Sequence, residues 1–249
     1  MNYLWWGLVF STGAAIGSFL NVCIYRMPAG ESVAYPPSHC PACRSYLRFF
    51  DLIPILSYLF LKGKCRYCGS RIAWQYPAVE FVTGVLFVLA LVKYGITMSA
   101  LRSIVLFSVI VPALVIDLRH KIIPDKLNFA GFILGIPLAL ESKEVLFSCV
   151  IGFLAGGGLL LLIAMASRGG MGGGDIKLAA VLGLLLGWKL LLVALFLAFV
   201  AGSIVGLAML LLKMVRLKEP IPFGPYLALG AMFAALAGDK AVMRYAGFW

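Results

Sequence analysis

The sequence predicts an all-α polytopic membrane protein with about eight transmembrane helices and a small zinc-ribbon-like loop domain on the cytoplasmic side. Of its 249 residues, 63% are hydrophobic and 12% are charged. The mean hydropathy is +1.02, far outside the range of a soluble domain. Apolar stretches also recur along almost the whole chain, and about 20 residues suffice for a helix to cross a hydrocarbon core about 30 Å thick.

Eight apolar segments are candidates for membrane spans, and the fourth and sixth are short. The first has no basic residues before it, so we expect it to remain as a helix and not to be removed as a signal peptide. The segments lie at residues 3–25, 77–95, 101–117, 127–140, 147–166, 177–188, 190–212 and 222–238. This pattern divides the chain into a first transmembrane helix (1–25), a cytoplasmic loop (26–76) and a transmembrane core (77–249).

The basic residues predict the orientation, because lysine and arginine accumulate in short cytoplasmic loops. Fifteen of the 21 fall on one side of the predicted spans, seven of them within residues 26–76. That side is therefore assigned to the cytoplasm and the N-terminus to the opposite, periplasmic side. The net charge of +11 then reflects topology and contact with anionic membrane lipid. It does not indicate a nucleic-acid partner, which would need basic and aromatic residues interleaved on a soluble face.

Four cysteines in the polar loop form two pairs with the spacing of a zinc ribbon. Cys40 and Cys43 are followed, after 21 residues, by Cys65 and Cys68. Two such pairs let four thiolates reach one tetrahedral ion, and Gly69 supplies a left-handed turn after the second pair. Disulfides or free thiols are the alternatives, but disulfides do not persist in a reducing cytoplasm. A site filled by four cysteines has no open position, so we expect a structural Zn²⁺.

The remaining cysteines and the neighbouring histidine are not expected to bind the metal. His39 precedes Cys40 directly and is interpreted as a bystander. Cys23 and Cys149 fall inside predicted spans, where a free thiol behaves as a small buried hydrophobe.

Two aspartates, Asp117 and Asp175, lie at the ends of strongly apolar segments. An ionisable group against a membrane span is costly and indicates a functional site. The predicted topology brings both to the cytoplasmic face. Two carboxyl groups close enough to share a proton can act together on a peptide bond. The ionised group acts as a base on a water, and the protonated group acts as an acid on the peptide carbonyl. The glycines at 172–174, with Gly169 and Gly170 before them, would allow unusual backbone angles and close approach to a substrate.

The alternative is that these acids form ordinary surface pairs. Asp117 would then pair with Arg119 or Lys121, and Asp175 with Lys177. A third acid, Asp125, follows a proline and fits the N-cap of the fourth span, so it is interpreted as structural or auxiliary.

The chain resembles the bacterial type IV prepilin peptidases, which are membrane aspartyl proteases of the GxGD type. The resemblance covers nearly the whole chain and rests on several segments. They are residues 17–22, Tyr25-Arg26, the two cysteine pairs, residues 51–58, Tyr76-Pro77 with Glu80, Asp117 with Ile123-Pro124-Asp125, the glycine run with Asp175 and Lys177-Leu178, and residues 222–225.

This resemblance implies cleavage of a short basic leader from prepilin-like and pseudopilin precursors at the cytoplasmic face of the inner membrane. Asp117 and Asp175 would be the catalytic pair. It also implies that S-adenosylmethionine is used to methylate the new N-terminal residue, a step associated with the N-terminal half. Glu80 and Gly84 match positions associated with that half, although a buried acid and a helix-packing glycine explain them equally well. No Rossmann-type glycine motif supports methyl transfer independently.

Two other functional classes compete with this interpretation. An ion-coupled transporter would use the acids as a proton relay, but it predicts carboxylates near mid-membrane and related halves. A noncatalytic scaffold of a secretion machine would need the cysteine loop but not the aspartates. The sequence does not indicate the oligomeric state.

Overall fold

In the computed structural model the chain is helical, as the composition predicts. The structure describes residues 3–167, 170–213 and 222–246, with the side chains of 240–246 excepted. Among these residues there is no strand, only two isolated β-bridges, His39 to Tyr46 and Lys64 to Arg71. The helices are α1 (Tyr3–Arg26), α2 (Leu56–Phe60), α3 (Gln75–Tyr94), α4 (Met98–His120), α5 (Asp125–Ala139), α6 (Lys143–Ala166), α7 (Gly173–Leu211) and α8 (Gly224–Ala246).

Every predicted apolar segment lies within or almost within one of these helices. Among the described residues, five helices are long and apolar enough to cross a membrane: α1, α3, α4, α6 and α7. The 15 residues of α5 would span only about 22 Å at 1.5 Å per residue. The fold class, an all-α membrane protein, is therefore confirmed.

The chain divides into two compact units, residues 1–92 and 93–249. In the first unit, α1 and α3 pack closely through small residues. A methyl group built on Gly17 would lie 2.8 Å from the Cα of Glu80, and one on Gly13 would lie 2.8 Å from the Cα of Gly84. Close backbone approach at small residues is a common way for membrane helices to associate, because dispersion contacts then replace a hydrophobic driving force.

In the second unit, α7 contains a break that matches the predicted boundary between the sixth and seventh spans. Gly187 has φ 75° and ψ 167°, outside the helical region. Methyl groups built on Gly156 of α6 would approach both Ala179 and Leu191. Residues 12 apart in one continuous helix would be separated by about 18 Å along the axis. The chain therefore reverses at Gly187 and forms a hairpin of two apolar segments.

Glycines on α6 allow this hairpin to pack closely. Gly152 lies against the carbonyl of Gly183, and Gly156 lies against the carbonyl of Ala179. Both pairs are four residues apart, which is the small-xxx-small spacing that brings membrane helices into backbone contact.

Some predictions fall on residues that the structure does not describe. Arg168, Arg216 and Lys218, which contribute to the predicted charge asymmetry, lie outside the described residues. Gly169, which precedes the glycine run, also lies outside them.

Candidate active site and metal centre

Asp117 lies in the last turn of α4 and is 4% exposed. Its Oδ2 atom accepts a 2.9 Å hydrogen bond from the backbone N–H of Gly224. Gly224 is the first residue of α8, so this N–H has no partner within its own helix and is free to bind a carboxylate. The contact requires glycine, because a methyl group there would lie 2.7 Å from Oδ2.

Asp175 lies in the first turn of α7 and is half-buried. Its backbone N–H donates to the carbonyl of Gly172 at 3.1 Å. Its Oδ1 atom is sealed from solvent and has no hydrogen-bond partner among the described residues. A buried oxygen without a partner is uncommon in proteins and calls for an explanation such as a bound water or a catalytic role.

The two aspartates are neighbours at one end of the helix bundle. A charge on Asp117 is close enough to act on Asp175. Ile123 contacts a residue next to each of them. A methyl group on Gly174 would lie 2.9 Å from its Cβ, and one on Gly224 would lie 3.1 Å from its Cδ1. The beginnings of α7 and α8 therefore meet at one isoleucine, and the end of α4 reaches the same place through the contact of Asp117 with Gly224.

The glycine run has a simpler local structure than expected. Gly172 is the N-cap of α7 with φ −70° and ψ 140°, and Gly173 and Gly174 are already helical. The expected unusual backbone angles are thus wrong for these three residues. The expected close approach is found at Gly174, which contacts Ile123. At Gly173 it is not, since a methyl group there would meet nothing within 4 Å.

The surroundings of Asp125 and Lys177 differ in two details from the predictions that Asp125 caps a helix and that Lys177 pairs with Asp175. Pro124 is the N-cap of α5 and Asp125 is its first helical residue, so the predicted cap is wrong by one position. Lys177 Nζ binds Asp125 Oδ1 at 2.7 Å, although it was considered as a partner of Asp175. Asp125 is well exposed, with 72% of its side chain accessible, and differs in this respect from Asp117.

Asn128 is a polar residue of this site that the sequence analysis missed. It is 4% exposed, and its Nδ2 atom donates to the carbonyl of Gly174 at 3.4 Å. Its Oδ1 atom is buried without a partner among the described residues. An amide three residues after Asp125, inside an apolar helix, was the available signal, since buried polar groups in membrane helices indicate function.

The four cysteines form one cluster. Their Sγ atoms all lie within 4.8 Å of one another, and Cys40 and Cys68 are 3.9 Å apart. When four thiolate sulfurs surround an ion tetrahedrally at about 2.3 Å, any two of the sulfurs are about 3.8 Å apart. All four are free of disulfides, and the donor set fits a metal ion.

Two similar turns present these thiols. The N–H of Arg44 donates to the carbonyl of Cys40 at 2.8 Å, and that of Gly69 donates to Cys65 at 3.0 Å. The residue after each pair is left-handed, with φ 56° at Arg44 and 71° at Gly69. The glycine was predicted, but the equivalent conformation of Arg44 was not, because only glycine adopts it without steric cost.

The surroundings of Cys40 favour the thiolate that a metal requires. Burial opposes ionisation of this thiol, but the N–H groups of Cys43 and Ala42 and the hydroxyl of Ser70 outweigh that effect. Together they lower the pKa of Cys40 to about 6. Thiolate, not thiol, is the metal ligand.

Asp51 ties the second cysteine pair to the preceding chain. Its carboxylate accepts from the N–H of Arg48 at 3.1 Å, from Arg66 Nε at 2.7 Å and from the Tyr67 hydroxyl at 3.0 Å. Burial raises the pKa of this carboxyl, but these three hydrogen bonds outweigh burial and hold the pKa below its usual value.

Glu80 and Gly84, the two weaker candidates, occupy structural positions in the first unit. Glu80 is 7% exposed and its Oε2 accepts from the N–H of Ile55 at 2.7 Å. Gly84 packs against α1, where a methyl group would lie 2.8 Å from the ring of Phe10. Packing therefore accounts for Gly84, and a role for either residue in methyl transfer stays a prediction.

His39, Cys23 and Cys149 have the surroundings that were expected. His39 Nδ1 lies 3.1 Å from the carbonyl of Pro37 and is not part of the metal cluster. Cys23 is 3% exposed and Cys149 is 0% exposed.

A membrane-spanning helix bundle with two neighbouring carboxyl groups at one end has the arrangement expected of a membrane-embedded aspartic peptidase. Comparison with known proteins agrees. The profile of the bacterial peptidase A24 N-terminal domain matches residues 11–94, and that of the type IV leader peptidase family matches residues 104–207. No solved structure matches the chain.

Three curated relatives match over nearly their whole length. The chain is 38% identical to the prepilin leader peptidase/N-methyltransferase of Bacillus subtilis, covering 96% of each chain. It is 35% identical to that of Aeromonas salmonicida strain A449, covering 98% of this chain and 95% of the relative. It is 33% identical to that of Pseudomonas aeruginosa, covering 95% and 92%. The protein belongs to the type IV leader peptidase family, and the resemblance inferred from its motifs is confirmed.

Proposed function

We propose that this protein cleaves the leader peptide from type IV prepilin-like and pseudopilin precursors and N-methylates the new N-terminal residue. The family and the names of the relatives support both activities. The observation that carries the peptidase assignment is the convergence of the two aspartates at one end of the second unit. Gly224, which binds Asp117, and Gly174, which precedes Asp175, both approach Ile123. Asp117 is buried and Asp175 is half-buried, which distinguishes both from the exposed, ion-paired Asp125.

In the proposed mechanism, Asp117 and Asp175 act as a coupled acid and base. Two neighbouring carboxyl groups in a buried site do not ionise independently, so in this mechanism the pair retains one proton. The ionised member removes a proton from a water that attacks the scissile carbonyl. The protonated member hydrogen-bonds to that carbonyl oxygen as the tetrahedral intermediate forms. The proton taken from the water is then passed to the leaving amine nitrogen as the C–N bond breaks, and no covalent enzyme intermediate is formed.

Gly224 and the start of α7 position the pair. The N–H of Gly224 occupies one oxygen of Asp117 and thereby fixes the orientation of that carboxyl group. No other described residue engages the buried Oδ1 of Asp175, so this oxygen is left for the reaction once the site opens to a water and the substrate. Preorganised carboxyl groups need little rearrangement when the substrate binds, which lowers the barrier to reaction.

The orientation of the protein is part of the proposal. We place it in the bacterial inner membrane with the aspartates and the cysteine loop on the cytoplasmic side and the N-terminus on the periplasmic side. The distribution of lysine and arginine supports this placement. A precursor would then enter with its apolar helix in the bilayer and its basic leader at the catalytic face.

We assign Zn²⁺ to the cysteine cluster as a structural ion. Cys40, Cys43, Cys65 and Cys68 offer four thiolates, the donor set that proteins use for closed zinc sites. The loop at 26–76 contains only short helical pieces among its described residues. Such a segment has too little core to fold firmly without a metal.

We assign methyl transfer to the N-terminal half, including this loop. S-adenosylmethionine, when bound, would supply the methyl group. The buried carboxylate of Glu80 is the strongest candidate within α3 for contact with a cationic group. Its present contacts with Ile55 and Ser18 support a role in shaping this half.

The direct test follows both activities on one product. Purified protein in lipid vesicles is incubated with a prepilin carrying a basic leader and with labelled S-adenosylmethionine. The mass of the product N-terminus is then measured. Cleavage with one added methyl group supports both assignments, and cleavage alone leaves only the peptidase. No cleavage by metal-loaded, folded protein of any of several prepilins would contradict the proposal.

A further inference from the structure

One segment of the loop exposes an unusual amount of apolar surface. We call residues 49–60 the aromatic segment; it consists of a 3₁₀ turn (Phe49–Leu52) and helix α2. Six large apolar side chains in these twelve residues are exposed: Phe49, Phe50, Leu52, Leu56, Leu59 and Phe60. The values reach 77% at Phe49 and 83% at Phe60. Contiguous apolar patches on such a loop indicate an interaction surface.

Three of these side chains share one face of α2. Leu56, Leu59 and Phe60 are at positions i, i+3 and i+4 of α2, which lie side by side on one side of a helix. Ser57 and Tyr58, on the other positions, are less exposed. The rings of Phe49 and Phe50 contact each other edge to face, with centroids 5.9 Å apart.

The aromatic segment is attached to the start of a membrane-spanning helix. The N–H of Ile55, the N-cap of α2, donates to Glu80 of α3 at 2.7 Å. Ile55 has φ 63°, a costly conformation for a β-branched residue, so the contact is imposed by the surrounding structure. Glu80 is five residues into α3, about 8 Å from its start. Helix α2 therefore begins level with the first turns of a span.

The end of that span has the features of a membrane interface. Trp74 directly precedes α3 and is 76% exposed. Tryptophan is enriched where a membrane helix leaves the hydrocarbon region. The exposed apolar side chains of α2 therefore lie close to the level at which α3 leaves the hydrocarbon region.

The charge around the aromatic segment is positive. Arg48 precedes it, Lys62 and Lys64 follow it, and all three are exposed. Residues 26–74 contain seven basic residues and two acids, Glu31 and Asp51. Asp51 is paired with Arg66. Basic residues next to an apolar face are attracted to anionic lipid.

We propose that the aromatic segment is an interfacial anchor, which inserts Leu56, Leu59 and Phe60 among anionic lipids of the membrane that α1 and α3 span. The anchor holds the cysteine module against the bilayer surface. This inference uses only the exposure, the attachment to α3 and the flanking charge. It does not rest on the proposed peptidase or methyltransferase activity.

Site-specific photocrosslinking in vesicles tests the anchor. Phe60 is replaced by p-benzoylphenylalanine in the full-length protein, in vesicles containing phosphatidylglycerol and phosphatidylcholine. Tyr35, an aromatic residue of the same loop that is 74% exposed, is replaced in the control. We expect a lipid adduct at position 60, detected by mass spectrometry of the peptide, and none at position 35. The absence of a lipid adduct at position 60, or equal labelling at both positions, would overturn the proposal.

Two further arms separate the alternatives. With a prepilin added, a crosslink from position 60 to the prepilin in place of lipid would assign the surface to the substrate and contradict the anchor. In the variant Arg48→Gln/Lys62→Gln/Lys64→Gln, we expect loss of the preference for phosphatidylglycerol over phosphatidylcholine adducts. An unchanged preference would contradict the role of these charges.

Discussion

Asp117 and Gly224 are 107 residues apart in the sequence and are joined by a 2.9 Å hydrogen bond from the backbone of one to the carboxylate of the other. The bond connects the end of α4 with the beginning of α8. It explains why a glycine stands at this position of the Pro222–Pro225 segment, since any side chain would collide with the carboxyl group.

Replacing Gly224 by alanine should therefore impair cleavage without unfolding the protein. The added methyl group would lie 2.7 Å from Asp117 Oδ2 and 3.1 Å from Ile123 Cδ1, so the carboxyl group must move. A displacement of about 1 Å of a catalytic group can cost about 100-fold in rate. The measurement is kcat for a prepilin, with Gly158→Ala as the control because a methyl group there meets nothing within 4 Å. Equal activity of both variants would contradict the positioning role of this contact.

Asn128 should act on catalysis through the start of α7. Its amide holds the carbonyl of Gly174, the residue before Asp175. The variant Asn128→Leu removes a hydrogen bond worth about 1 kcal/mol, so we expect kcat to fall about fivefold or more with little change in KM. Ser103→Ala is the control, because Ser103 is also buried and bonds only within its own helix. A change in thermal stability with unaltered kcat would show that Asn128 is merely structural.

Metal removal should affect the two units differently. Four thiolates from two turns hold the loop in the first unit, whereas the aspartates belong to the second unit. We expect one bound Zn²⁺ per chain in the wild type and none in Cys40→Ser. Methylation should be lost in this variant, while prepilin cleavage stays within about threefold of wild type. The buried thiol variant Cys149→Ser is the control for metal content, and metal retained in Cys40→Ser would contradict the assignment.

The packing of α6 against the hairpin of α7 should be sensitive to added volume. Gly156 lies directly on the backbone of Ala179, whereas Gly158 meets no neighbour within 4 Å. Gly156→Val should lower stability by about 3 kcal/mol or more, because overpacking forces the backbones apart. Gly158→Val should change it by less than about 1 kcal/mol. Thermal unfolding in detergent distinguishes the two, and similar midpoints for both variants would refute the close contact.

The sequence predicted the features that depend on composition and local spacing. The helical membrane fold follows from hydropathy, and the cysteine cluster follows from two short motifs. The break at Gly187 was expected near residues 188–190, where the sixth predicted span ends and the seventh begins. The basic loops predicted that Asp117 and Asp175 lie at the same membrane face, but they did not predict how the two carboxyl groups approach each other.

Features that depend on distant contacts could not be predicted. The partner of Lys177 is Asp125, 52 residues away, and not the nearer Asp175, because Asp175 directs its carboxyl group into the protein. Local spacing alone favoured the nearer acid. The bond between Ile55 and Glu80 and the left-handed conformation of Arg44 likewise depend on tertiary packing, which overrides local preference.

The central claim, that Asp117 and Asp175 are the catalytic pair, is tested most directly by comparing three isosteric variants. Asp117→Asn, Asp175→Asn and Asp125→Asn each remove one carboxylate from the same end of the bundle. All three proteins should fold, bind metal and unfold at similar temperatures. Single-turnover cleavage of a prepilin should be lost in the first two variants, by about 1,000-fold or more, and retained in Asp125→Asn. Cleavage at the wild-type rate by either Asp117→Asn or Asp175→Asn would contradict the mechanism.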